Sequence, residues 1–85
     1  MNESLVQVSS FFEPSVVALL VQTASKFKSR ISLVLDEKTA NAKSIMGIIS
    51  LNMQEGNTIK IVADGEDSGD AVPALERFFK FGTVE

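Results

Sequence analysis

A chain of 85 residues with 45% apolar side chains makes one modest domain, residues 1–85, and the absence of cysteine leaves it without disulfides. With no histidine either, the ordinary zinc sites and the histidine-dependent triads of hydrolases are excluded, and eight Lys and Arg against eleven Asp and Glu form no basic stripe for a nucleic-acid backbone. The N-terminus carries no signal pattern and the apolar run from Val16 to Val21 is too short to cross a bilayer, so the chain reads as cytoplasmic, with proteins as its partners and no membrane insertion.

Leu5, Val6 and Val8 partly alternate with polar residues and predict a first strand near residues 3–9. Glu13-Pro14 then opens a helix over about 14–27, since proline at the first helical position gives up a donor that has no intrahelical partner. Val17, Leu20, Val21, Ala24 and Phe27 follow at helical spacing. Ile31, Leu33 and Leu35 alternate with Ser32, Val34 and Asp36, the period of a strand with one buried face; Asp36-Glu37-Lys38 turns the chain, and Thr39 to Lys43 returns as the partner strand. Ser44 is suited to cap a short helix that runs to about Asn52 and buries Ile48 and Leu51. Glu55-Gly56-Asn57 punctuates the chain before a fourth strand over 58–64. The last helix carries Ala71, Leu75 and Phe78 on one face and ends near Phe81-Gly82. With Asp70 as its N-cap, Pro73 falls in the first turn, where the missing N–H costs little. The order βαββαβα predicts an α+β two-layer domain.

Few residues carry chemistry. Asp64, Glu66, Asp67 and Asp70 crowd one loop, but they lack the spacing and terminal glutamate of a calcium loop and suit a helix start better, so no metal site is expected. No phosphate-cradling glycine loop with a lysine is present, and neither an enzyme activity nor a cofactor is expected.

Asn41 to Leu51 resembles the regulatory-serine segment of the HPr phosphocarrier family of the sugar phosphotransferase system. Leu19 to Phe27 resembles that family's first helix, and Gly65-Glu66-Asp67 the lead-in to its last. These matches fall in the family's order and spacing. The resemblance implies an open-faced β-sandwich, with a four-stranded antiparallel sheet covered on one face by three helices. It also places Glu13 where the family carries its phosphorylated histidine and Ser15 where it carries the arginine that steadies the phosphate. Both parts of the carrier chemistry are replaced. An acyl phosphate on Glu13 would lack the guanidinium clamp, so carrier activity is not expected.

What remains is Ser44. In the resembled family, Gram-positive members are phosphorylated at this serine by an HPr kinase/phosphorylase, and the product binds a catabolite control transcription factor. Ser44 with Ile45, Met46 and Ile49 reproduces the segment, and those three apolar residues are the expected partner-docking face. The expected function is that of a catabolite-repression type of HPr-like regulator, unable to carry phosphate on histidine and controlled at Ser44. The alternative is a non-phosphorylated module that competes for HPr partners. There a carboxylate at Glu13 mimics a phosphorylated histidine at a helix start, and Phe11 and Phe12 add an apolar docking patch.

Overall fold

Alternation of apolar and polar side chains builds the sheet. The computed structural model describes residues 1–8 and 14–81. Its elements run β1 (Asn2–Gln7), α1 (Pro14–Ser25), β2 (Arg30–Leu35), β3 (Lys38–Asn41), α2 (Ile45–Leu51), β4 (Thr58–Asp64) and α3 (Ser68–Phe81). The four strands form one antiparallel sheet with the three helices as the second layer, as expected, and the structure adds the strand order β1-β4-β2-β3.

On β2 and β4 the buried set is Ile31, Leu33, Ile59, Ile61 and Ala63, while Ser32, Val34, Lys60 and Val62 alternate onto the open face. The register places Leu33 opposite Ile61 and Ile31 opposite Ala63, so the central pairs reinforce one face. β1 is an edge strand, and its Leu5 is 70% exposed. At the other edge, β2 and β3 close through Asp36-Glu37, with Asp36 in the left-handed region at φ 55°.

Each helix lays an apolar stripe on this face. α1 contributes Val17, Leu20 and Ala24, together with Thr23, whose buried hydroxyl donates to the Leu19 carbonyl at 2.8 Å. α2 contributes Ile48 and Leu51. α3 buries Ala71, Val72, Leu75, Phe78 and Phe79, a wider stripe than expected, and its two phenylalanine rings meet edge to face with centroids 6.2 Å apart. Full burial of each large apolar side chain stabilises the fold by about 1.5–3 kcal/mol before the entropy of ordering is subtracted.

Several boundaries differ from expectation, each for a local reason. The β1 ladder ends at Gln7. Val8 pairs instead with the loop before β4, its N–H donating to the Asn57 carbonyl and its own carbonyl accepting from the Gly56 N–H, both at 2.8 Å. α1 stops at Ser25, where the Lys26 and Phe27 amides reach back three residues, to Thr23 and Ala24, and tighten the last turn. β3 spans Lys38–Asn41. The Asn41 side-chain carbonyl accepts the Lys43 N–H at 2.8 Å and turns the chain out of the ladder.

The largest correction concerns α3. Asp70 is not its N-cap: the helix starts at Ser68, and the Asp67 carbonyl accepts from the amides of both Asp70 and Ala71 at 3.0 Å. Pro73 therefore lies beyond the first turn. Its missing N–H deprives the Gly69 carbonyl of the usual donor four residues on, but Gly69 is exposed and water can take that place.

Candidate docking and modification site

The turn from β3 into α2 presents Ser44 in an extended conformation, φ −115° and ψ 117°, with its Oγ accepting the Gly47 N–H at 3.1 Å. Its carbonyl accepts the Ile48 N–H at 3.0 Å. This is N-cap geometry, as the sequence predicts, and it leaves the hydroxyl proton uncommitted. Ser44 is partly exposed.

Behind the cap, the helix divides sharply. Ile48 is 1% exposed and Leu51 2%, whereas Ile45, Met46 and Ile49 are 48%, 78% and 54% exposed. Seven residues turn their apolar content both ways because one stripe suffices to seal the core. α2 then ends at Asn52, which takes φ 54° and donates its N–H to the Ile49 carbonyl, returning Met53 to the core.

Ile49 also borders a small apolar notch of about 200 Å³, lined by Pro14 and Val17 of α1 and by Ile48, Ile49, Asn52 and Met53. The start of α1 and the end of α2 thus meet on one surface. Ser15, the second residue of α1, is exposed, and Leu19 one turn later is 46% exposed. Phe11, Phe12 and Glu13 lie outside the described residues. The sequence reading did not find the notch, because Pro14 and Asn52 carry no apolar periodicity that links them.

Nor did it find what Asp67 does. Its carboxylate accepts the Lys28 N–H at 2.7 Å, the Ser29 N–H at 2.9 Å and the Ser29 hydroxyl, tying the loop after α1 to the start of α3. These bonds, the Ser29 hydroxyl foremost and the Lys28 amide next, hold its pKa below the ordinary carboxylate value. Gly65 makes the clasp possible, since a Cβ there would stand 2.6 Å from Ser29 Oγ and 2.7 Å from its Cα.

Residues 14–80 match the family model described as the PTS HPr component phosphorylation site. The chain belongs to the HPr family. It is 39% identical over 75 residues to the HPr-like protein Crh of Halalkalibacterium halodurans, an alignment covering 88% of this chain and 89% of that one. Among solved structures, an HPr from Thermoanaerobacter tengcongensis superposes with a TM-score of 0.93 at 40% identity, over 100% of this chain and 98% of that one. Crh of Bacillus subtilis, described as a catabolite repression protein forming an intertwined, swapped dimer, superposes with a TM-score of 0.80 at 32% identity, over 100% and 98%. Within this HPr fold, the chain has no histidine anywhere in its sequence.

Proposed function

We propose that this protein is a regulatory member of the HPr family, cytoplasmic, not an enzyme, and unable to relay phosphate through an imidazole. In this reading its regulation runs through phosphorylation of Ser44 and its output through protein docking on Ile45, Met46 and Ile49. The observation that carries the proposal is the pairing, in a chain without histidine, of an accessible cap serine with three exposed apolar side chains immediately after it. A kinase would transfer the γ-phosphoryl group of ATP to Ser44 Oγ, releasing ADP and the hydroxyl proton. The resulting dianion would change the charge beside an apolar docking face without requiring the helix to unfold. The likeness to Crh proteins supports an HPr kinase/phosphorylase as the modifying partner and a catabolite control transcription factor as the reader.

The test is intact-mass spectrometry after incubation with a Gram-positive HPr kinase and ATP, beside Ser44→Ala. One phosphate adduct that disappears in the variant supports the proposal. If an ordinary HPr is labelled in parallel while this chain stays unmodified, Ser44 is a helix cap only.

A second reading draws on Pro14, which shares the apolar notch with Ile49. Glu13 directly precedes it in the chain, and a carboxylate there would stand in for a phosphorylated histidine in a competitor of HPr partners, with Phe11 and Phe12 supplying added contact. Glu13→Gln weakening partner capture without any kinase present would favour this reading.

A further inference from the structure

A second surface, made by other residues, lies where the loop after α1, the start of β2 and the turn out of β3 converge. Lys28, Ser29, Arg30, Asn41, Lys43 and Asp64 line a polar cleft of about 560 Å³. Three of the chain's eight basic residues line it with one carboxylate, Asp64, while Glu66 and Asp67 stand just outside the lining, one paired with Lys28 and the other holding the Lys28 and Ser29 amides. The Asp67 oxygens are already taken by three donors, so the side chains that face the cleft offer a ligand three cations against one carboxylate.

None of the three cations is firmly neutralised. Lys43 Nζ donates to the Phe27 carbonyl at 2.7 Å, which orients the ammonium without cancelling its charge. Lys28 pairs with Glu66 at 3.6 Å, but both side chains are largely exposed, at 81% and 75%, and such a contact is readily surrendered. Arg30 stands opposite Asp64 across the β2–β4 ladder and is in no ion pair among the described residues.

The frame around these charges is well held. Asp67 fixes the Lys28 and Ser29 amides, the ladder fixes Arg30, and Asn41 Oδ1 accepts the Lys43 N–H, which leaves the Asn41 Nδ2 group as a further donor. No apolar side chain is among the lining residues, so an uncharged organic ligand would find little to bury. The concavity is too small for an extended polyanion, and the acidic remainder of the chain opposes one.

We infer that this cleft binds a small, multiply charged phosphate compound, with Arg30 as the forked clamp and Lys28, Lys43 and the Asn41 amide as flanking donors. Arg30 offers parallel N–H groups to two phosphate oxygens, and the two ammonium groups supply charge with less directional demand. Asp64 at the rim would repel a ligand oxygen on its side and so orient the anion towards Lys28 and Lys43. This binding does not depend on modification of Ser44.

The experiment is a heteronuclear NMR titration of the full, unphosphorylated chain with inorganic pyrophosphate at constant ionic strength. Saturable shifts confined to residues 28–30, 41–43 and 64 are expected. Lys28→Gln with Arg30→Gln removes the forked clamp and one flanking ammonium and should weaken binding at least about tenfold, while Lys60→Gln on the open sheet face leaves it unchanged. Orthophosphate, a hexose phosphate and a magnesium-free nucleoside triphosphate form the other arms. A ligand tighter than pyrophosphate identifies the organic part recognised, and equal affinity assigns recognition to the phosphates alone. Shifts that fail to saturate, that spread equally to Lys60, or that persist at full affinity in the double variant overturn the inference.

Discussion

Asp67 and Ser29, 38 residues apart in sequence, are joined by two hydrogen bonds into the same carboxylate, one from the Ser29 amide and one from its hydroxyl. With the Lys28 amide as a third donor, this clasp closes the end of the sheet where the loop after α1, β2 and α3 meet. It also makes stability depend on pH. The folded-state pKa of Asp67 lies below the ordinary value of 3.8, so its contribution is fully present above that value and is lost as pH falls through the lowered one. Asp67→Asn should lower the urea midpoint at neutral pH and flatten its decline in acid. Midpoints measured from pH 7 down to about pH 3 check this, and parallel acid profiles for the two proteins would remove Asp67 as the sensor.

Gly65→Ala should destabilise the same junction by about 1–3 kcal/mol, the usual range for overpacking a close approach. The added Cβ would meet Ser29 at 2.6 Å and push it from Asp67. Gly56→Ala is the instructive comparison. Gly56 has no neighbour within 4 Å of a built Cβ, so its cost is that of φ +94° alone. Chemical denaturation should report the Gly65 variant with the altered acid profile and the Gly56 variant without it.

Ser44→Ala removes the acceptor of the Gly47 N–H and should cost about 1 kcal/mol, whereas Ser44→Asp keeps a capping oxygen and should stay within about 0.5 kcal/mol of the parent. Urea midpoints distinguish the two. If the aspartate variant is as unstable as the alanine one, the capping account fails.

On α2, Ile48→Ala should cost about 2–5 kcal/mol and Met46→Ala less than about 0.5 kcal/mol, because one side chain is 1% exposed and the other 78%. Met46→Ala combined with Ile49→Ala should leave the thermal midpoint nearly unchanged while weakening capture of a docking partner by tenfold or more, an effect of about 1.4 kcal/mol. A binding titration beside a melting curve reads both effects, and undiminished capture would place the interface elsewhere.

The element order and the central strands were legible in the sequence because period-two alternation in 31–35 and 59–63 survives into a sheet covered on one face. Ser44 was legible for a similar reason: capping is local, and a serine before Ile45-Met46 needs only the next turn of chain to define its geometry. The start of α3 was misplaced because Pro73 was given a place in the first turn, whereas the helix begins at Ser68 and carries the proline in its interior beside an exposed Gly69. The role of Asp67 was missed for another reason: its carboxylate answers to amides 38 and 39 residues away, which local spacing cannot report.

The sequence by itself therefore determined the family, the alternating strands, the capped serine and the absence of any imidazole, all of which are read within a few residues or by matching whole segments. Only the tertiary structure decided how Pro14 meets Ile49, how Asp67 holds Ser29, and that Lys28, Arg30 and Lys43 share a cleft. Those relationships join groups distant along the chain, and antiparallel pairing with helix packing, rather than local propensity, brings them within reach of one another.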